Sequence, residues 1–352
     1  MELYKYKNGT LKFNIKYAPP DEKEVPENIL KYVLTFKSPY ESSSDTNNSV
    51  YCELFLKKDF FIPYPEFLSI KGNNLNSVDF RFFNKEIPFL ILLHGFSTRN
   101  EKLKHYYKFI YNILNQNIAC VFINLPFHLN RKLPEEISGG RLIYYDDIET
   151  LLFFHQCVVD VRKCADIIEN IFSPKKINIC GVSLGSMVSV IAMAVENKLK
   201  KGIFIVSGGN WEEIHWNGIL RYVLKGNCAG NEMITREKCR KYYSNFPVFI
   251  KKVKSVNQNI FTTEVSDNPE LNNLCTRKCY LCDPLTFAHK INPDNVLMIN
   301  SRLDHYFSRK STSSLWEELG KPEIHWYNYP HFSGIINRKE IFKTITEFLK
   351  KS

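Results

Sequence analysis

The sequence predicts an α/β protein with a mostly parallel central sheet, helices on both faces and a helical insertion. Two observations carry this. Between residues 86 and 210, apolar runs at 88–93, 118–124, 176–180 and 202–207 alternate with helical patterns at about 100–116, 147–172 and 184–198. Short apolar runs without in–out alternation read as strands buried on both faces, and regular strand–helix alternation is the mark of a parallel sheet. The second observation is a break: residues 211–282 lose the alternation, and the strand–helix pattern resumes near 283 and continues to residue 352.

Residues 1–85 differ again. Strand-like runs lie at Leu11–Tyr17, Tyr32–Phe36, Val50–Leu56 and Phe67–Ile70, with a Ser/Asn-rich break from Ser42 to Ser49. With no helices between them, these runs read as antiparallel strands at one edge of the sheet.

The densest chemical signal is Gly181-Val182-Ser183-Leu184-Gly185. It follows the β-branched run Lys176–Cys180 and precedes the helical run Ser186–Val195. A serine between two glycines at a strand-to-helix turn is thrust out above the sheet, and the helix N-terminus beneath it favours negative charge. The plainer reading of Ser183 is an ordinary helix N-cap. Further candidates follow other strands. Phe89–Leu93 runs into His94-Gly95-Phe96, where His94 reads as a structural residue of the turn. Asn295–Asn300 is followed by Asp304, a helical stretch Ser311–Leu319 and a last strand Glu323–Tyr327, after which comes His331. Asp283 and Asp294 precede their strand and fall at the wrong end of the sheet. His325 lies within a strand, and His305 adjoins the acid and points elsewhere. Ser183, Asp304 and His331 are thus the nucleophile, acid and base candidates, in that chain order.

At these residues the chain resembles the α/β-hydrolase superfamily. The resemblance runs from about residue 50 to the C-terminus and rests on LLHGF at 92–96, GVSLG at 181–185, INSRLDHYF at 299–307 and YPHFSG at 329–334. The chain looks most like carboxylesterase-type members of the dienelactone-hydrolase and acyl-peptidase-like branch, which Phe36–Pro39 and Asn124–His128 also resemble. The resemblance implies a serine hydrolase: Ser183 attacks, His331 takes the proton, Asp304 orients His331, and the N–H groups of Phe96 and Leu184 hold the oxyanion. An ester or thioester is the expected substrate, since amides demand more help for the leaving group. The resemblance also implies that residues 211–282, placed after the sixth strand, form a cap over the site. Trp211, Trp216 and Tyr222 are the aromatic residues expected to line the pocket.

The loop after 118–124 leaves the strand end at which ligands bind in open α/β sheets. His128, Arg131 and Arg141 in this loop have two readings: contacts to a substrate carboxylate or phosphate, or side chains satisfied by the loop itself. Trp211 is a further substrate-binding candidate. Of the ten cysteines, Cys275, Cys279 and Cys282 have the spacing C-x3-C-x2-C, which can bind a metal or an iron–sulfur cluster with Cys228 or Cys239 as a fourth ligand. The reading adopted is reduced thiols, with no metal and no cofactor.

Composition places limits on function. Hydrophobic residues make up 44% and charged residues 24% of the 352, an ordinary globular balance. The formal net charge of +10 is spread over scattered basic pairs such as Lys57-Lys58 and Lys200-Lys201, and no nucleic-acid-binding motif is present. Apolar runs reach only about ten residues, too short for a membrane span, and residues 1–7 contain no apolar leader core. The expectation is a cytoplasmic enzyme acting on a small-molecule ester, with its oligomeric state left open. Two other classes compete: a peptidase of the same fold, for which residues 1–85 are too few to form the usual propeller, and a non-catalytic binding protein that keeps the fold.

Overall fold

The computed structural model describes residues 2–6, 9–18, 28–62, 79–225, 228, 234–255, 269–331 and 333–351. Its described residues form one nine-stranded sheet in the order β1-β2-β3-β5-β4-β6-β7-β8-β9. Strands β1 (Phe13–Tyr17), β2 (Ile29–Lys37) and β3 (Ser49–Lys57) make an antiparallel edge, and β3 pairs antiparallel with β5 (Ala119–Ile123). From β5 onward, β4 (Phe89–Leu93), β6 (Ile177–Val182), β7 (Leu199–Ile205), β8 (Val296–Leu303) and β9 (Glu323–Pro330) are parallel. The edge strands expected at 11–17, 32–36 and 50–56 are present. Phe67–Ile70 lies outside the described residues. The Ser/Asn-rich break contains a short helix, α1 (Asp45–Asn48), with Ser44 as its N-cap.

The central strands are buried along their whole length on both faces, which explains their uninterrupted apolar character. Helices close the two faces. Helix α2 (Asn100–Leu114) meets α12 (Lys339–Lys350) through Phe109 and Phe342, whose rings stand edge to face at 5.9 Å. Helix α3 (Asp147–Phe172) packs on α4 (Leu184–Val195). Helix α3 starts at a capping box: Asp146 accepts the Glu149 N–H at 2.7 Å, and Glu149 accepts the Asp146 N–H at 3.0 Å. It ends at Ser173, in the left-handed region at φ 44°, just before Pro174.

Several strands outrun their sequence signal. β7 begins at Leu199 rather than 202, because Leu199 pairs with Ile177 of β6. β8 continues to Leu303 and β9 to Pro330, so Asp304 and His331 stand immediately beyond their strands. The ends Ser301–Leu303 and Asn328–Pro330 carry no continuous apolar signal, yet the two strands stay paired there across a register shift between Ser301 and Leu303.

Between β7 and β8 the chain forms α5 (Trp211–Trp216), α6 (Leu220–Val223), α7 (Arg236–Tyr243), α8 (Phe246–Ser255), α9 (Pro269–Leu274) and, after a 3₁₀ turn at Lys278–Cys282, α10 (Pro284–Ala288). Asp283 ties the two ends of this segment together. Its Oδ1 accepts the N–H groups of Asn210 and Leu285, both at 3.0 Å, and its Oδ2 accepts that of Trp211 at 2.9 Å. Helix α11 (Arg309–Glu318) follows β8. Glu213 of α5 joins it by an ion pair with Lys310 and by a hydrogen bond from the Ser308 hydroxyl at 3.2 Å.

Candidate active site

Ser183 occupies the turn from β6 to α4 with φ 56° and ψ −118°, a conformation rarely adopted by residues other than glycine. The flanking glycines make the turn possible by close approach. A Cβ on Gly181 would collide with the Gly185 carbonyl, and one on Gly185 would lie 2.6 Å from the carbonyl oxygens of both Leu93 and His94. The serine is thereby pressed against the His94-Gly95-Phe96 turn at the end of β4. This is where β5 and β6 flank β4 on opposite sides, so the crossovers diverge and leave a crevice.

Three side chains from three strand ends meet here. His331 Nε2 lies 2.8 Å from Ser183 Oγ, and His331 Nδ1 lies 2.8 Å from Asp304 Oδ2. The second carboxylate oxygen of Asp304 accepts the N–H groups of Tyr306 at 2.7 Å and Phe307 at 2.9 Å. The carboxylate is therefore held from both sides, and the Nδ1–H tautomer leaves Nε2 free to accept from the serine. Both partners are largely covered, with side-chain exposures of 10% for His331 and 6% for Asp304. His94 is fully buried and accepts the Leu125 N–H at Nε2, while its Nδ1–H donates to the Gly95 carbonyl. Burial holds it neutral, well below the ordinary histidine range, so it braces the turn.

Ser183 opens into an apolar cavity of about 150 Å³. Phe96, Leu184 and Met187 stand near the serine, and Tyr145, Phe153 and Phe154 come from the α3 side. The segment between β7 and β8 supplies the facing wall, including Trp211, Trp216, Leu220 and Tyr243. Tyr222, expected beside the tryptophans, is 70% exposed with Arg221 against its ring, because the single turn of α6 faces Leu220 inward and Tyr222 outward. Cys228, Cys239 and Cys279 also line the cavity. Burial pushes the Cys239 thiol up to about 11 and Cys228 to about 12, so both are protonated and poorly nucleophilic at neutral pH. Among the described residues, no group of three or more His, Cys, Asp or Glu side chains is arranged to hold a metal ion.

Trp211 lines the cavity, but the other three substrate-binding candidates do not. Arg131 is completely buried: it donates to the carbonyls of Asn47 and Asn124 and pairs with the equally buried Asp160 at 2.9 Å. His128 is buried, with its Nδ1–H donating to the Pro126 carbonyl, and burial lowers it to about 4. Arg141 pairs with Glu136 at 2.7 Å and lies over the Phe127 ring. These side chains turn away from the cavity because buried N–H and guanidinium groups need partners: His128 and Arg141 find them within the loop, and Arg131 finds Asn47 and Asp160 beyond it. Sequence reading passed over Tyr306 and Phe307, whose rings flank His331 at 4.4 and 5.8 Å. Their position directly after the acid was the available signal.

Residues 85–351 match the model of the family described as "Alpha/beta hydrolase domain containing 18". The chain belongs to this family. A stretch of 71 residues, 20% of the chain, is 32% identical to "Uncharacterized protein YdjC" of Bacillus subtilis (strain 168), and spans 61% of that relative's length. In overall fold the chain is similar to an acetyl xylan esterase from Paenibacillus sp. R4 (TM-score 0.54, 13% identity, covering 96% of this chain and 89% of that one). It is also similar to a cold-adapted esterase from an Arctic intertidal metagenomic library (0.51, 12%, 94% and 97%). At such identities the likeness establishes the α/β-hydrolase fold alone. No described helix of this family member is long and apolar enough to cross a membrane.

Proposed function

We propose that the chain is a serine hydrolase that cleaves a carboxylic ester or thioester with an apolar acyl group. The observation that carries this reading is the hydrogen-bonded line Ser183–His331–Asp304 opening into an apolar cavity. In this reading Ser183 Oγ attacks the acyl carbon while its proton passes to His331 Nε2. Asp304 stabilises the resulting imidazolium without taking the proton. The backbone N–H groups of Phe96 and Leu184, whose residues both border the cavity, receive the oxyanion; Leu184 is the first residue of α4, where a helix N–H has no partner within the helix. The leaving alcohol or thiol departs with the proton from His331. Water, deprotonated by the same nitrogen, then releases the acid from the acyl-enzyme.

The segment 211–282 acts in this reading as a cap, with Trp211 and Trp216 excluding water and shaping the acyl pocket. Three features support the reading: the strained serine turn, the protonated thiols that leave Ser183 as the competent nucleophile in the cavity, and family membership. The test is labelling with a fluorophosphonate probe, followed by turnover of p-nitrophenyl esters of increasing acyl length. Wild-type protein is expected to be labelled and to hydrolyse at least one ester; Ser183→Ala is expected to fold, take no label and lose turnover by ~10⁴-fold or more. Labelling that persists in Ser183→Ala rejects the assignment.

A further inference from the structure

The residue that follows the acid at a distance of two does more than border the cavity. The Tyr306 ring lies over the His331 imidazole with centroids 4.4 Å apart and planes 37° from parallel. Its backbone N–H donates to Asp304, the carboxylate that holds the same imidazole. Tyr306 therefore touches both partners of the His331–Asp304 pair. It is itself fixed from the segment between β7 and β8. The Ile219 N–H donates to the His305 carbonyl at 2.7 Å, and Gly218 packs so closely that a Cβ there would collide with the Tyr306 carbonyl and lie 2.9 Å from that of His305.

We propose that Tyr306 is a positioning residue for His331, with Gly218-Ile219 clamping it in place. This inference rests on the reading of Ser183 and His331 as the catalytic pair. The physical need arises in the middle of the reaction. Once Ser183 is acylated, His331 Nε2 loses its serine partner, and a single hydrogen bond at Nδ1 leaves the ring free to swing about that bond. A flat π surface against one face removes this freedom and favours the imidazolium form when it appears. His331 thus stays aligned for both proton transfers, to the leaving group and from water. Loss of this alignment lowers kcat, because a small misplacement of a reacting group costs up to about 100-fold in rate. A ring serving only as pocket wall has the opposite signature: its loss raises KM and leaves kcat in place.

The experiment compares wild type with Tyr306→Leu, Tyr306→Phe and Gly218→Ala. Measured are kcat and KM on the best ester of the panel, the rate constant for fluorophosphonate labelling, and the downfield Nδ1–H proton resonance of His331 by NMR. Tyr306→Leu is expected to lose about 10- to 100-fold in kcat with little change in KM and to lose or broaden the resonance. Tyr306→Phe, which keeps the ring, is expected to recover most of the turnover and the resonance. Gly218→Ala displaces the loop without altering Tyr306 and is expected to reproduce the kcat loss. A Tyr306→Leu protein with wild-type kcat and raised KM overturns the proposal, as does a phenylalanine variant no better than leucine; a Gly218→Ala protein with full turnover overturns the clamp. If Tyr306→Leu fails to fold, Gly218→Ala with its resonance reading decides alone. A wild type that takes no label at Ser183 overturns the catalytic reading and this inference with it. A labelled wild type whose Tyr306→Leu form reacts equally fast overturns this inference only.

Discussion

The indole of Trp211 meets the ring of Phe154 edge-on, with centroids 5.7 Å apart and planes at 84°. One residue begins the segment between β7 and β8; the other lies on helix α3 of the core. The cavity is closed where these two surfaces touch, so its reach is set jointly by the core and by the inserted segment.

Narrowing the cavity at Cys239 should therefore change chain-length preference more than catalysis. Cys239 lies on α7 and borders the cavity. Cys239→Phe is expected to lower the ratio of kcat/KM for an octanoyl ester to that for an acetyl ester by about 10-fold or more. An unchanged ratio across the p-nitrophenyl ester series would place the acyl chain elsewhere.

Replacing Asp304 by Asn keeps the shape of the loop but leaves His331 without an acceptor for Nδ1–H. The wrong tautomer then faces Ser183. A loss of roughly 10⁴-fold in kcat is expected, with the melting temperature little changed. Steady-state kinetics beside a thermal melt checks this; a loss below tenfold would point to another acid.

Burial raises the Asp283 carboxyl to about 6, while the N–H groups of Asn210, Leu285 and Trp211 and the Tyr243 hydroxyl pull the other way. A carboxyl raised on folding binds its proton more tightly in the folded state. Its favourable contribution is complete below about pH 4 and is lost as pH rises through about 6, a difference on the order of 3 kcal/mol. Urea unfolding from pH 4 to 7 should therefore show a declining component that Asp283→Asn removes. Parallel stability curves for the two proteins would disprove this account.

The buried Arg131–Asp160 pair supports the loop beneath the site, and breaking it strands a charge in the core. Arg131→Met is expected to cost about 3–5 kcal/mol in chemical denaturation, and the double variant Arg131→Met, Asp160→Asn to recover part of that loss. Equal stability for single and double variants would mean that the two side chains are not coupled.

How far the sequence could be read depended on the range of the contacts. The parallel strands were legible because residues such as Phe89–Leu93 are buried on both faces, and a continuous apolar run of only five residues is too short for a buried helix. The chain order of Ser183, Asp304 and His331 was legible because each follows a strand, and parallel strands bring their C-terminal ends to one edge of the sheet. Arg131 was not legible in this way. Leaving a strand at the ligand-binding edge says nothing of where the side chain turns, and its partners are Asn47, far back in the chain, and Asp160 on α3. The same limit applies to the cysteines: Cys228, Cys239 and Cys279 come to one cavity wall through the fold of a segment whose sequence has no regular period.

The clasp at Asp283 has a consequence for how such a protein can change. A single carboxylate receives the chain where it leaves the sheet at Asn210 and Trp211 and where it returns at Leu285. Helices α5 to α9 lie between two ends that are pinned together, and lengthening a connection whose ends are fixed costs little. Changes in length beyond Gly218-Ile219, which meet the loop carrying Tyr306, leave β7 and β8 in their places. In the proposed reading, the clasp lets the segment that forms one wall of the acyl pocket vary in length while the strand ends that carry Ser183, Asp304 and His331 keep their spacing.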